Sequence, residues 1–108
     1  TYFKNRDISC TKNHKITILY KNIGYGHIDY EDNIFWLGIY VCNTEQSKGN
    51  GTIIMKYLLN YFNKNFENEQ LYLTVHQNNV KALNLYKKFN FKIIENISDK
   101  NMYKMKLN

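Results

Sequence analysis

The run of apolar and aromatic residues from Ile34 to Val41 most constrains what this chain can fold into. A turn-forming Glu-Asp-Asn at residues 31–33 precedes it, and a polar, glycine-bearing segment follows. Strands that are covered on both faces are apolar almost throughout, whereas half-exposed strands alternate. We therefore predict the central strand of a sheet, covered on both faces. Gly38 marks a point in this strand where another part of the chain or a ligand can approach closely.

The other hydrophobic patterns predict a mixed sheet with helices against it. Runs of β-branched and aromatic residues, some of them alternating, indicate strands, and apolar residues at helical spacing indicate helices. Because helices and strands interleave along one short chain, we predict the α/β class in its mixed α+β form. The predicted strands are 16–20, 23–30, 34–41, 71–75, 91–97 and 102–107, and the predicted helices are 52–66 and 79–89.

Length and composition fit one small domain that spans residues 1–108. A chain of this size buries about 65% of its unfolded surface, and a hydrophobic content of 44% suits a packed core. No apolar run reaches the ~20 residues of a membrane span and no leader pattern is present, so we expect a cytoplasmic protein with no membrane partner. Cys10 and Cys42 have neither disulfide-framework nor metal-ligand spacing, so we expect buried or half-buried thiols and no metal.

The formal net charge of +6 is compatible with nucleic acid, an acidic partner or a phosphate-rich cofactor. A nucleic-acid-binding domain is disfavoured, because most aromatic residues fit core positions. The lysines are scattered, with a modest concentration at Lys81, Lys87, Lys88 and Lys92, and most are expected to form a solvated face.

Residues 46–51, with the sequence Gln-Ser-Lys-Gly-Asn-Gly, connect the predicted central strand to the next helix. Amides in the first turn of a helix have no intrahelical acceptor and lie at the positive end of the helix dipole, so they favour phosphate. Lys48 adds a positive charge, and the two glycines allow close approach. A plain tight turn is the alternative. ATP and NAD are disfavoured, since the glycine spacing of their loops is absent.

Two separated motifs together resemble one family, the GNAT superfamily of acyl-CoA-dependent N-acetyltransferases. The first resembles the acyl-CoA pyrophosphate loop of that family, and the second resembles its next helical motif, in which Gly-Phe is the usual ending. The motifs are Gln46-x-x-Gly49-x-Gly51 and Asn79-x-x-Ala82-x-x-Leu85-Tyr86-x-x-x-Asn90-Phe91. The resemblance covers residue 16 to the end and implies a GNAT-like central sheet whose N-terminal strand and helices are shortened or missing.

The resemblance implies acetyl-CoA as cosubstrate and a role for each matching position. The loop amides would hold the pyrophosphate, the central strand would bind the pantetheine arm where it separates from the next strand, and the Val41 amide would stabilise the oxyanion. The implied cofactor-binding residues are Ile39, Tyr40, Val41, Gln46, Ser47, Lys48, Gly49, Asn50, Gly51, Thr52, Asn79 and Tyr86.

Tyr86 is the implied general acid, because a phenol of pKa ~10 within hydrogen-bond distance of the sulfur is expected to protonate a leaving thiolate of pKa ~8.5. The acceptor amine must also lose a proton from its ammonium form before it can attack the thioester, and this step requires a base. For this base we consider His27, Asp29, Glu31 and His76, with an exposed sheet face as the alternative interpretation of His27 and Asp29.

The expected function is acetyl transfer to a primary amine of a small molecule, an amino sugar or other metabolite, by direct attack in a ternary complex. A CoA-binding module without catalysis and a protein-amine acetyltransferase are the alternatives. A branch of the family that acetylates protein N-termini has a Glu base at the position of Thr74, which counts against a protein substrate. No nucleic-acid partner is expected, and a homodimer is left open.

Overall fold

The computed structural model describes residues 3–6, 14–42 and 49–108 of the chain. In this part of the chain two helices lie against one seven-stranded sheet. A short 3-10 helix, Ser98–Lys100, joins the last two strands. The strands are β1 (Phe3–Arg6), β2 (His14–Tyr20), β3 (Gly24–Glu31), β4 (Ile34–Val41), β5 (Leu71–His76), β6 (Phe91–Ile97) and β7 (Met102–Leu107), and the helices are α1 (Asn50–Asn65) and α2 (Val80–Lys88).

The sheet has the order β1-β2-β3-β4-β5-β7-β6, so β4 is its central strand, as predicted. All neighbouring strands are antiparallel except β4 and β5, which are parallel. The β3–β4 hairpin turns at Asp32 and Asn33, whose φ angles of 52° and 65° are those of a two-residue turn with both central residues left-handed. This turn fixes the register that places His27 opposite Gly38.

Strands β4 and β5 pair only at Phe35↔Leu71 and Trp36↔Tyr72. Beyond these two pairs no further register partners join them, although β4 continues to Val41. A parallel sheet that stops pairing partway leaves a wedge between its strands. This wedge corresponds to the separation that the family resemblance implies.

The hydrophobic core lies between the sheet and α1. Ile54, Met55, Leu58 and Phe62 recur at helical spacing along α1, and all are buried. They pack against inward-facing strand residues, for example through an edge-to-face contact of Phe35 with Phe62 at 5.4 Å between ring centroids. Further buried residues of the sheet are Ile16, Ile18, Ile28, Leu37, Leu71, Leu73, Val75, Phe91 and Met105.

The prediction that β4 is covered on both faces is wrong for the described part of the chain. Phe35 and Leu37 are buried under α1, but Tyr40 on the opposite face is 49% exposed. Strand residues alternate between faces, and a Cβ at Gly26 would contact Leu58 and Ile54, so its neighbour His27 also projects to the opposite face. We call this surface of the β3–β4 hairpin, away from α1, the open face.

Most predicted elements are confirmed to within a few residues, as is the mixed α+β class. The predicted strands 34–41, 91–97 and 102–107 match β4, β6 and β7. Asn79 is the N-cap of α2, and Asn90, just after the end of the helix, has a φ of 73°. No strand was predicted before residue 16, whereas β1 lies there: its four residues are too few and too polar to show a period.

Candidate active site

A cavity of about 500 Å³ opens beside the wedge between β4 and β5, where the N-terminal ends of α1 and α2 meet the end of β4. Three elements that are distant in sequence therefore converge on one space. Both helices direct their first-turn amides, with the positive end of the helix dipole, toward this region. The lining residues are Ile39, Tyr40, Val41, Gly49, Gly51, Thr52, Asn79, Lys81, Ala82, Asn84, Leu85, Tyr86 and Lys88.

Gly49 and Gly51 have different structural roles. Gly49 is the N-cap of α1 and adopts the left-handed conformation, with φ 82° and ψ 2°, and a Cβ there would meet nothing within 4 Å. Gly51 lies in the first helical turn, where a Cβ would come 3.0 Å from Leu85 of α2. The first glycine thus permits the backbone turn, and the second permits close packing of the two helices.

The first turn of α1 contains no acidic residue, and no side chain among the described residues caps its N-terminus. An acidic residue or a capping side chain is the usual way in which a helix satisfies these amides. An anion from outside the helix could take that place. The geometry therefore supports an anion site at the N-terminus of α1, next to the glycines that line the cavity.

The N-terminus of α2 contributes an amide side chain and positive charge. Asn79 caps the helix, because its Oδ1 accepts a hydrogen bond from the Ala82 amide at 3.2 Å, and the side-chain NH₂ group remains a donor. Lys81 and Lys88 also line the cavity. They lie seven residues apart, which places them on one face of α2.

Strand β4 supplies backbone groups to the wedge. The Cys42 amide donates to the Ile23 carbonyl at 2.7 Å, on the β3 side. Because amides alternate in direction along a strand, those of Val41 and Ile39 point the other way, toward β5. This is the direction that a role for the Val41 amide in binding an oxyanion requires.

Tyr86 lies where α2 meets the sheet and is 5% exposed, although it lines the cavity. Its ring packs edge-to-face on Phe91 with a centroid distance of 6.0 Å. Burial raises the pKa of the Tyr86 phenol from 10.0 to about 12, because the charged phenolate loses hydration. The phenol is therefore neutral and able to donate a hydrogen bond at any ordinary pH.

The same shift changes what Tyr86 can do as an acid. The raised pKa makes complete transfer of its proton to a thiolate of pKa ~8.5 less favourable than it would be from an ordinary phenol. The role of Tyr86 as general acid stays a prediction. Tyr86 fits a hydrogen-bond donor to the sulfur, with full transfer only if another proton reaches the phenol at the same time.

Of the four base candidates, His27 and Asp29 are held together on the open face. Nδ1 of His27 lies 3.0 Å from Oδ2 of Asp29. When the imidazole is neutral and Nδ1 carries the hydrogen, its lone pair is on Nε2. The ring lies over Gly38, where a Cβ would overlap Nε2 and come 2.6 Å from Cε1. His27 thus occupies the position that a β4 side chain would have.

Glu31 and His76 are placed less favourably. Glu31 is opposite Ile34 at the far end of the β3–β4 hairpin, six residues or ~20 Å along β4 from Tyr40. His76 is exposed, and its Nδ1 accepts from the Asn78 amide at 3.3 Å in the turn before α2. None of the four base candidates, His27 and Asp29 included, lines the cavity.

Eight of the twelve predicted cofactor-binding residues line the cavity: Ile39, Tyr40, Val41, Gly49, Gly51, Thr52, Asn79 and Tyr86. Asn50 is buried and does not line it, while Gln46, Ser47 and Lys48 lie outside the described residues. Their roles stay predictions. Sequence reasoning missed Lys81, Ala82, Asn84, Leu85 and Lys88 as lining residues, although their helical spacing within the second motif is a signal that could have found them.

Two absences hold for residues 3–6, 14–42 and 49–108. No group of three or more His, Cys, Asp or Glu side chains is placed to bind a metal ion there. None of the helices in those ranges is long and apolar enough to cross a membrane. Cys42 is a half-buried thiol, and Cys10 is outside the described residues.

The fold is similar to that of several solved structures. A domain from Methanocaldococcus jannaschii matches with a TM-score of 0.75 and 16% identity, over 93% of this chain and 70% of that one. The Campylobacter jejuni N-acetyltransferase PseH, in complex with acetyl coenzyme A, matches with a TM-score of 0.71 and 25% identity, over 91% and 70%. A variant of spermidine N-acetyltransferase SpeG from Vibrio cholerae matches with a TM-score of 0.74 and 16% identity, over 92% and 68%.

A search of curated proteins finds no match to this sequence. The family model of the acetyltransferase (GNAT) family matches residues 5–91, which include both motifs in full. That range covers most of the chain, and the GNAT-like sheet is confirmed by the solved structures. The chain belongs to the acetyltransferase (GNAT) family.

Proposed function

We propose that this protein transfers the acetyl group of acetyl-CoA to a primary amine of a small molecule. The observation that carries the proposal is the convergence of Gly49, Val41 and Tyr86 on one cavity. Gly49 offers a place for a phosphate, Val41 a backbone amide for an oxyanion, and Tyr86 a hydrogen-bond donor to the sulfur. The family assignment and the acetyl-CoA complex of a structural neighbour support the choice of cosubstrate.

The cavity residues fit coenzyme A in charge and shape. The diphosphate would lie against the first-turn amides of α1 at Gly49 and Gly51, in a helical turn that contains no acidic residue. Lys81 and Lys88 would add positive charge. The amide-rich pantetheine arm could extend along β4 in the wedge, since a peptide-like chain can add to a strand edge. The bound group would supply an acetyl thioester as the acyl donor.

The proposed chemistry assigns each proton a place. His27, oriented by Asp29, takes one proton from the ammonium form of the acceptor through Nε2, directly or through water. The amine nitrogen bonds to the acetyl carbon as the carbon–sulfur bond breaks. The second nitrogen proton ends on the sulfur, with the Tyr86 hydroxyl as donor to the sulfur and as relay. The products are the N-acetyl amine, the free thiol and one proton released by His27.

Thiol release from acetyl-CoA tests the proposal. The protein is incubated with acetyl-CoA and a panel of primary amines that includes amino sugars and polyamines, and the thiol is titrated with a chromogenic disulfide. We expect amine-dependent release, and mass spectrometry should show the acetylated amine. If coenzyme A binds but no amine gains an acetyl group, the protein is a CoA-binding module without catalysis and the proposal is wrong.

A further inference from the structure

Two tyrosines on the open face have no part in the core. Tyr25 is 42% exposed and Tyr40 is 49% exposed. They lie opposite each other on β3 and β4, with ring centroids 5.6 Å apart. Tyr40 also lines the cavity, whereas Tyr25 does not. The pair therefore forms an aromatic surface that begins at the cavity and extends away from it across the open face.

The same surface continues to the His27–Asp29 pair. The ring of Tyr25 stacks at 28° to the imidazole of His27, with 6.3 Å between centroids. Gly38 is two residues or ~7 Å along β4 from Tyr40, and the imidazole lies over it. A ligand on the tyrosines would thus have the cavity on one side and the imidazole on the other.

Charge on this part of the molecule is polarised. β3 and β4 contain no lysine or arginine, and β3 places Asp29 and Glu31 on the open face. Among the described side chains, the nearest positive charge on that face is the ammonium of Lys104 on β7, which lies 5.5 Å from the centroid of the Trp36 ring. The lysines that line the cavity, Lys81 and Lys88, belong to α2. An anion is therefore favoured at the helix side, and a cation is favoured at the part of the open face beside Asp29 and Tyr25. Tyrosine ring faces also attract cations.

We propose that Tyr25 and Tyr40 form the acceptor subsite and bind the substrate as a primary ammonium ion with its nitrogen at the cavity side of Tyr40, from which a proton passes to His27 through water. This proposal rests on the proposed function and names the side from which the acceptor enters. The ligand class is a primary amine that is protonated in solution and carried on a compact apolar frame.

A probe pair separates charge from shape. Cyclohexylmethylamine carries the ammonium, and cyclohexylmethanol is its neutral counterpart; neither has an aromatic ring of its own. Each is titrated into the protein in the presence of coenzyme A, and the ring resonances of Tyr25 and Tyr40 are followed by NMR. We expect saturable shifts of both rings with the amine and at least about fivefold weaker binding of the alcohol. Equal responses to the two probes, or no response at either ring, would overturn the subsite.

Steady-state kinetics give the second arm. Tyr25→Leu keeps apolar bulk but removes the ring, so we expect KM for the amine to rise about 5- to 20-fold while KM for acetyl-CoA changes less than twofold. Tyr25→Phe should recover most of the lost affinity, because it restores the ring face. Tyr57→Leu is the matched control, since Tyr57 on α1 is also 42% exposed and should leave both KM values unchanged.

The outcomes distinguish the two proposals. A rise in KM for acetyl-CoA in Tyr25→Leu would assign Tyr25 to the cofactor site and overturn the acceptor subsite. An unchanged KM for the amine in Tyr25→Leu would also overturn the acceptor subsite, while leaving the proposed enzymatic function intact. If the unaltered protein releases no thiol with any amine, the proposed function fails, and the NMR titration alone then decides whether the tyrosine pair binds ammonium.

Discussion

The imidazole of His27 occupies the side-chain position that Gly38 leaves empty on the neighbouring strand. A Cβ at position 38 would overlap Nε2 and lie 2.6 Å from Cε1, while Nδ1 is held 3.0 Å from Asp29. The proposed base therefore lies over the central strand β4, although His27 itself belongs to β3. The missing side chain at Gly38 decides where that base can lie.

Gly38→Ala should displace the His27 ring and lower kcat at least about 10-fold, in line with the contribution of a general base. The decisive measurement is a double-mutant cycle with His27→Ala. Once the imidazole is absent, the extra methyl group has room, so Gly38→Ala should have no further effect on kcat in that background. Additive losses would mean that Gly38 acts independently of His27.

Tyr86→Phe should lower kcat by about 10- to 100-fold, because the donor to the leaving sulfur is removed while the ring still packs on Phe91. Affinity for coenzyme A, measured by calorimetry, should change little. The control is Tyr61→Phe on α1, which does not line the cavity. Unaltered turnover in Tyr86→Phe would remove Tyr86 from the acid role.

Tyr86 should also make the fold less stable in alkali. Its pKa is about 12 in the folded protein and 10.0 as the ordinary value, so between these pH values the unfolded chain has lost a proton that the folded chain keeps. The contribution of Tyr86 to the free energy of unfolding is therefore fully present below pH 10 and is lost as the pH rises toward 12. The loss is about 2 kcal/mol by pH 12. Urea unfolding at several pH values should show this slope in the unaltered protein relative to Tyr86→Phe, since the other tyrosines are common to both.

Gly49→Ala tests the backbone conformation at the anion site. A Cβ there meets nothing, so the expected cost of about 1 kcal/mol comes only from the left-handed φ of 82°. Because Asn tolerates this conformation better, Gly49→Asn is the matched variant and should be the less destabilised of the two in urea titrations. Equal stability of all three proteins would show that residue 49 does not hold a positive φ in solution.

The helices and strands were largely predictable because they depend on local patterns, such as the apolar spacing of Ile54, Leu58 and Phe62. The N-cap at Asn79 followed from residue type. The His27–Gly38 contact was not predictable, because it depends on the register between two strands that a short turn determines. For the same reason the sequence did not reveal that Glu31 lies at the far end of the hairpin.

The central claim is that the cavity between β4, α1 and α2 binds coenzyme A, and isothermal titration calorimetry with coenzyme A tests it most directly. We expect one saturable site per chain with a Kd between about 1 μM and 1 mM, the usual range for enzyme substrates. Lys81→Gln and Lys88→Gln should weaken binding, whereas Lys87→Gln, at a residue that does not line the cavity, should not. Absence of saturable binding to the folded protein, or equal loss in all three variants, would contradict the account.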